Sequence, residues 1–510
     1  MNRTNHLGYK RLFLGLSLMG ILIAIGMAAK YLIWVGFIDH GEVTMTATAW
    51  MFVQGKPIYT DLLAAERYSI QHGPMIYLLM GFIMKCLGPS IFTAKLAGFL
   101  LITANLILAW FCFRKLVSRN IAFCLVGLEA WLLLKWSFVF FSRDDSLMMF
   151  GMNLGLWFLH RGNQSSKIVS IVGIAIAMGI LIGSKIHSIL YFIPIFIMWY
   201  HQEGWKTAAV SMIGAVFIGI IPFCFTNISL GNYMNWLILS GHHGFIGKLF
   251  LGNFLYFLVL SIIPIGVGWY RNIELRKIWE DNKLAVSTVV VSGFIISVIG
   301  SKAGSGNYHL IPFIPLYCYF TARIILYPAH AHVYKEEKLC SKRRRMSVLL
   351  LVVGCIILIG GVNSQKRILS IIHRYPHGAE VVEEIHTVEK MYAGNTLEVG
   401  FGGDQSYRQY RSFIPVPVFE GNPYLFDGAA LMDMQLSGLQ LPQSTVDALK
   451  DGIIKIWLIP KGEKPFTLHS YYRNGSQMVL NESVNSVFLQ NYRLVNRMKY
   501  FDVWQYVSQE

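Results

Sequence analysis

Long apolar stretches separated by short polar ones fill the first two thirds of the chain. About 20 apolar residues cross the hydrocarbon core of a bilayer as a helix, and lipid offers the backbone few other ways to satisfy its hydrogen bonds. The pattern predicts eleven spans, at residues 12–38, 90–113, 121–141, 146–160, 168–184, 187–200, 208–226, 249–270, 284–301, 308–327 and 346–362. We therefore expect residues 1–363 to form a polytopic α-helical membrane domain of about 11 transmembrane helices.

Residues 364–510 follow a different pattern, in which short strand-like and helix-like segments alternate. Thr396–Gly400 and Ile453–Ile459 are typical of strands, Ser444–Lys450 of a helix, and Tyr492–Val507 of a hairpin. This part of the chain is predicted to be a C-terminal α/β soluble domain.

The first two spans are joined by a long loop, residues 39–89. Its segment Glu42–Gln54 is typical of a helix that ends before Gly55 and Pro57. Pro74–Gly88 is apolar, but its helix would be only about 22 Å long, too short to span. We expect it to lie on the membrane surface with Lys85 extending to water.

Composition supports a membrane protein and charge gives its orientation. Hydrophobic residues make up 54% of the chain and charged residues 14%, against about 25% charged in soluble proteins. With the N-terminus in the cytoplasm, the inner loops hold 19 Lys and Arg residues and the outer segments before residue 364 hold 7. The positive-inside rule therefore places the N-terminus in the cytoplasm and the C-terminal domain in the periplasm or outside the cell. Residues 364–510 have 14 basic and 15 acidic residues, which argues against nucleic acid as a partner.

Ionisable and polar residues from distant parts of the chain gather at the predicted outer ends of the spans. They are Asp39 and Glu42 after the first span, Arg143, Asp144 and Asp145 between the third and fourth, Lys185 and His187 between the fifth and sixth, and Lys302, Asn307, Tyr308 and His309 between the ninth and tenth. Acids and bases collected at one membrane edge predict a cleft with a chemical function.

Each group also has a purely structural interpretation. Asp39 and Glu42 suit the N-cap and first turn of the helix that follows. Asp144 or Asp145 suits an N-cap of the fourth span, and Lys185 suits a lysine that extends from the membrane edge into water.

The segments FIDHGEVTMTATAWMFVQGKPIYTD and YSIQHGPMIYLLMGFIMKCLGPS resemble the first outer loop of polytopic GT-C glycosyltransferases. The nearest family members are the bacterial proteins grouped with protein O-mannosyltransferases and the lipid A aminoarabinose transferase. The resemblance continues in order and spacing through Ser142–Leu147, Gly183–Lys185 and Tyr308–Pro315. The two acids of the first motif, Asp39 and Glu42, are separated by two residues, whereas many relatives have them adjacent.

This resemblance implies an inner-membrane glycosyltransferase with a periplasmic active site. It would move a hexose or pentose from a polyprenyl-phosphate carrier to a hydroxyl of a cell-envelope glycan or glycolipid, with inversion. Asp39 would be the catalytic base and Glu42 the second candidate, while Asp144 or Asp145 would orient the acceptor or support Asp39. Arg143, Lys185 and Lys302 would hold the donor phosphate, and His187, Asn307, Tyr308 and His309 would line the pocket.

Metal dependence stays open, because some relatives use a divalent cation and others do not; the sequence identifies no metal ligands. Three other functions compete. A secondary transporter would place its polar residues near mid-bilayer between repeats, and no repeat is visible. A polysaccharide polymerase or ligase would carry its large catalytic loop late among the spans. A non-catalytic assembly protein would not need acids at several separate outer turns.

Overall fold

A computed structural model describes residues 3–160, 167–271, 273, 275–327, 336–470, 472 and 477–507. Its helices in chain order are α1 (Arg3–Ile33), α2 (His40–Val53), α3 (Pro74–Leu87), α4 (Ile91–Leu116), α5 (Arg119–Leu134), α6 (Asp144–Leu159), α7 (Lys167–Ser184), α8 (Ile189–Glu203), α9 (Trp205–Ile220), α10 (Leu230–Ser240), α11 (Gly247–Tyr270), α12 (Leu275–Ile299), α13 (Ile314–Leu326), α14 (Glu336–Arg374), α15 (Gly378–Met391), α16 (Asp404–Tyr410), α17 (Pro415–Phe419), α18 (Gly428–Leu436), α19 (Gln443–Lys450) and α20 (Glu482–Asn491).

Short 3-10 helices connect several of these elements, and four strands complete the fold. The 3-10 helices are Ser137–Phe140, Ile186–Ser188, Ile221–Cys224, Gly241–His243, Asn307–Phe313 and Arg411–Phe413. The strands are β1 (Leu397–Val399), β2 (Ile456–Pro460), β3 (Tyr492–Arg497) and β4 (Phe501–Tyr506).

The chain divides into two compact units. The first, which we call the bundle unit, comprises Met1–Tyr31, Gly98–Ile221 and Phe245–Leu369. The second, the sheet unit, comprises Leu32–Ala97, Pro222–Gly244 and Ser370–Glu510. The predicted first outer loop therefore folds with the C-terminal segment in one compact unit.

A helix lies at each of the eleven predicted spans. Seven helices in the described part of the chain are long and apolar enough to cross a membrane: Lys10–Ile33, Ile91–Leu116, Lys167–Ser184, Trp205–Cys224, Gly247–Tyr270, Asn307–Leu326 and Arg345–Arg374. These helices confirm a polytopic α-helical membrane protein, and eleven is an approximate number of crossings.

Several helix ends differ from the predicted ones. The first helix ends at Ile33 rather than at residue 38, and the third predicted span ends at Leu134, with a 3-10 turn taking up Ser137–Phe140. Hydropathy alone does not mark these ends, because the apolar residues that follow are buried outside regular α-helix. Helix α14 continues past residue 363 to Arg374.

Small residues allow close helix contacts in the bundle unit. Helix α7 packs on α9, and a Cβ placed on Gly179 would come within 2.7 Å of the Ile218 side chain. Gly219 makes the reciprocal approach to Ile182, where an added Cβ would be 2.5 Å away. Without a hydrophobic driving force between helices in lipid, such close packing is a main source of helix association.

The sheet unit has one four-stranded sheet, in the order β1-β2-β4-β3. Strands β1 and β2 are parallel, whereas β4 pairs antiparallel with both β2 and β3. The pairing of β3 with β4 confirms the predicted hairpin. Every residue of β1 and β2 is buried, as expected for strands covered on both faces.

Candidate active site

Asp39 lies at the start of α2, where it caps the helix. Its backbone is extended, with φ −100° and ψ 137°, and its Oδ2 accepts a hydrogen bond of 3.2 Å from the backbone N–H of Glu42. The capping interpretation of the sequence is therefore correct for Asp39. The residue as a whole remains half-buried.

Glu42 is one turn further along α2 and is completely buried. Its charge acts on the ammonium group of Lys95, a residue near the start of α4 that is 1% exposed. Lys95 also donates a hydrogen bond to the backbone oxygen of Trp34. We did not predict Lys95 as a site residue, although a single lysine inside the apolar stretch 90–113 is the signal that could have identified it.

The C-terminal segment contributes to the surroundings of α2. The His40 Nε2 atom and the Tyr472 hydroxyl are 2.8 Å apart. Thr44 donates a hydrogen bond of 2.9 Å to Asp427, which itself caps α18 through the N–H of Ala430. These side chains hold the acidic end of α2 against the C-terminal part of the sheet unit.

In the bundle unit, a second cluster forms at the start of α6. Arg143 takes the N-cap position, and Asp144 and Asp145 lie in the first turn. The prediction that one of these aspartates is the N-cap is wrong, because the chain turns one residue earlier. Both aspartates are completely buried, at the helix end whose dipole favours negative charge.

Asp145 is paired with two cations. Its Oδ1 accepts a hydrogen bond of 3.1 Å from Lys185 Nζ, and its Oδ2 lies 3.5 Å from Arg143 Nε. Lys185 comes from the turn between α7 and α8 and is only 6% exposed. The alternative of a lysine extending into water is therefore wrong for Lys185.

Three aromatic residues pack beside this charged group. Tyr308 and His309 stack at 4.6 Å between ring centroids, and the His187 ring lies 5.7 Å from that of His309. The Arg143 guanidinium is 5.5 Å from the centroid of the Tyr308 ring, within cation–π distance. Arg143, Asp145, Lys185, His187, Tyr308 and His309 thus form one cluster, which we call the α6 cluster.

His309 is the residue of the α6 cluster whose side chain is least satisfied. It is 7% exposed, and neither of its ring nitrogens has a hydrogen-bond partner in the described part of the chain. Its backbone oxygen accepts a hydrogen bond of 2.6 Å from the Tyr191 hydroxyl, which fixes the backbone at this point. Buried polar groups are normally paired, so the His309 ring is suited to a polar group of a ligand.

Lys302 and Asn307 are close to the α6 cluster in sequence. Both are half-buried, in the segment that leads from α12 into the 3-10 helix with Tyr308 and His309.

The site thus offers buried cations, one buried carboxylate bound to two of them, and imidazole rings. Such a group of residues can bind an anion and carry out proton transfer. Among the residues that the structure describes, no three His, Cys, Asp or Glu side chains are placed to bind a metal ion.

Comparison with known proteins assigns the fold. The family model described as dolichyl-phosphate-mannose-protein mannosyltransferase matches residues 71–228. The structure is similar to ArnT from Cupriavidus metallidurans, solved with undecaprenyl phosphate (TM-score 0.55) and in the apo state (TM-score 0.56). Each match has 13% sequence identity and covers 98% of both chains. The chain has an ArnT-like GT-C fold.

This GT-C fold confirms the resemblance seen in the sequence. The oligosaccharyltransferase of Archaeoglobus fulgidus is similar at a TM-score of 0.44, with 10% identity, over 87% of this chain and 69% of that one. No curated protein sequence matches the chain. The GT-C fold and the apolar helices together make it a multi-pass membrane protein.

Proposed function

We propose that the protein transfers a sugar from a polyprenyl-phosphate carrier to a hydroxyl of a cell-envelope glycan or glycolipid, on the periplasmic face of the inner membrane. The observation that carries this proposal is the match to ArnT over 98% of both chains, because that relative was solved with undecaprenyl phosphate bound. A lipid carrier requires an active site at the membrane edge, and the polar clusters occur at the predicted outer ends of the helices.

Asp39 is our candidate for the catalytic base. A hydroxyl acceptor is a poor nucleophile, so a positioned carboxylate must accept its proton as the bond to the anomeric carbon forms. Asp39 is half-buried whereas Glu42 has no exposed surface, so a substrate reaches Asp39 more readily. Glu42 instead shares its environment with Lys95.

The cations of the α6 cluster suit the leaving group. As the sugar leaves, negative charge grows on the lipid phosphate, and preformed cations stabilise it. We assign Lys185 and Arg143 to this role, with Lys302 as a third candidate. Asp145 holds the first two in place, His187, Asn307, Tyr308 and His309 line the pocket, and Asp144 orients the acceptor.

Asp39→Asn tests the proposal with little structural disturbance. Asparagine caps helices about as well as aspartate, so α2 should be retained while the base is lost. In proteoliposomes supplied with a panel of radiolabelled undecaprenyl-phosphate sugars and an envelope glycolipid extract, we expect the wild type to form labelled product. We expect D39N to form none at equal protein levels.

Asp447→Asn is the matched control, because it removes the carboxylate of a half-buried residue of α19. It should transfer as the wild type does. Full activity of D39N would remove Asp39 from the role of base, and movement of label across the membrane without a covalent product would favour a transporter. Mass analysis of surface glycans from a strain without this protein would identify the sugar and its point of attachment.

A further inference from the structure

The loop between α1 and α2 carries Asp39 and is held by the C-terminal part of the chain. At its start, the Trp34 indole N–H donates a hydrogen bond of 3.1 Å to the backbone oxygen of Tyr375. The next residue, Val35, touches Gly378 so closely that a Cβ on that glycine would overlap the Val35 carbonyl oxygen. The first half of the loop thus lies directly on the start of α15.

The second half of the loop is held by the 3-10 turn Arg411–Phe413. The Ser412 hydroxyl accepts a hydrogen bond from the Phe37 N–H and donates one to the Phe37 oxygen, each 2.9 Å long. One side chain thereby satisfies both backbone groups of Phe37, as a neighbouring strand would. The Arg411 guanidinium donates a hydrogen bond of 2.5 Å to the oxygen of Ile38, the residue before Asp39.

Lys95 of α4 also holds the same loop. Lys95 donates to the Trp34 oxygen, and its ammonium group lies 5.3 Å from the Trp34 ring centroid and 5.6 Å from that of Phe37. Phe37 and Ser412 are 2% and 3% exposed, so water does not easily replace their hydrogen bonds. The loop has no regular secondary structure of its own to fix it, and these contacts take over that function.

We propose that Ser412, with Arg411, is a positioning residue for Asp39, so that the C-terminal segment is part of the catalytic apparatus. This inference rests on the proposed role of Asp39 as base. A base must lie within hydrogen-bond reach of the proton that it takes, and a misplacement of about 1 Å can cost about 100-fold in rate. Loss of the Ser412 hydroxyl releases Phe37, two residues before Asp39.

The test compares Ser412→Ala with Ser406→Ala in the full-length protein, using undecaprenyl-phosphate sugars as donors. Ser406 is also buried, but its hydroxyl donates only to Gly403 within its own helix start, which makes it the matched control. We expect S412A to lower kcat by about 10-fold to 100-fold, with little change in the donor KM or in Tm. S412T, which keeps the hydroxyl, should recover most of the rate, and S406A should leave kcat unchanged.

A second variant covers the case in which S412A does not fold. Arg411→Ala removes the contact to Ile38 and should also lower kcat at constant donor KM. Normal kcat in a folded S412A, or in R411A when S412A does not fold, would overturn the positioning role. If D39N keeps its activity, the proposed role of Asp39 as base fails instead, so the two failures are distinguishable.

Discussion

At the residue scale, Asp145 shows how much a buried charge depends on its partners. It is completely buried and contacts both Lys185 and Arg143. Taking charges out of water costs several kcal/mol for each ion, and the loss of one partner is expensive because the other stays buried. Removal of the Asp145 carboxylate therefore leaves two buried cations without this counter-charge.

Asp145→Asn should lower the free energy of unfolding by about 3 kcal/mol, since Lys185 loses its carboxylate while remaining buried. Thermal unfolding in detergent measures this change. The double variant Asp145→Asn with Lys185→Met should recover part of the loss. Glu203→Gln is the control, because it breaks the pair with Lys167, whose side chain is mostly exposed, and should cost less than about 1 kcal/mol. A cost for D145N as small as that of E203Q would contradict the buried-pair argument.

Glu398 on β1 gives the sheet unit a pH-dependent stability. Burial raises the pKa of its carboxyl to about 8, against the opposing effect of the N–H groups of Phe426 and Leu425. In the unfolded chain the group ionises near its usual value of 4.5. The folded state therefore holds the proton more tightly, and its stability is highest below about pH 4.5.

As the pH rises from about 4.5 to about 8, Glu398 should lower the free energy of unfolding by about 1.4 kcal/mol per pH unit. Glu398→Gln cannot ionise and should flatten this slope by that amount, whatever its effect on absolute stability. Thermal unfolding at several pH values measures it, and Glu482→Gln on the exposed start of α20 should leave the slope unchanged. Equal slopes for E398Q and wild type would show that Glu398 is not the group responsible.

At the scale of elements, the sequence predicted the helices better than their ends. The helix predicted at 74–88 appears as α3, and the hairpin predicted at 492–507 appears as β3 and β4. Both have local signals, namely a Gly-Pro start and alternating polarity. The end of α1 at Ile33 could not be predicted, because the apolar residues after it are buried in a loop by contacts with residues more than 300 positions away.

Helix packing in the bundle unit gives a prediction at this scale. Gly179→Ala would bring a methyl group within 2.7 Å of Ile218 and 3.0 Å of the Ala215 backbone oxygen, so α7 and α9 must separate. We expect a loss of about 1–3 kcal/mol, measured as a lower Tm in detergent.

Gly252→Ala in α11 is the matched helical control, since nothing lies within 4 Å of its added Cβ. It should be neutral, or stabilising by up to about 1 kcal/mol through helix propensity. If both variants had the same Tm, the close approach of α7 and α9 would not limit stability.

At the scale of the whole molecule, the charge distribution predicts the orientation in the membrane. In a cysteine-free background, Met391→Cys should react with a membrane-impermeant maleimide in intact spheroplasts, because residue 391 is 57% exposed and its segment is predicted to be periplasmic. Lys206→Cys in the predicted cytoplasmic loop 201–207, also exposed, should react only after the membrane is permeabilised. The reverse labelling pattern would invert the topology and exclude a periplasmic active site.

The sequence by itself determined the class of protein and the approximate positions of its helices, and it predicts an excess of positive charge on the cytoplasmic side. These properties are local: transfer of a segment into lipid depends on its own residues. Only the tertiary structure decided that Lys185 pairs with Asp145, that Lys95 lies beside Glu42, and that Ser412 holds Phe37. Each of these contacts joins residues distant in sequence, and its energy arises only when packing excludes water from both partners, which no local pattern specifies.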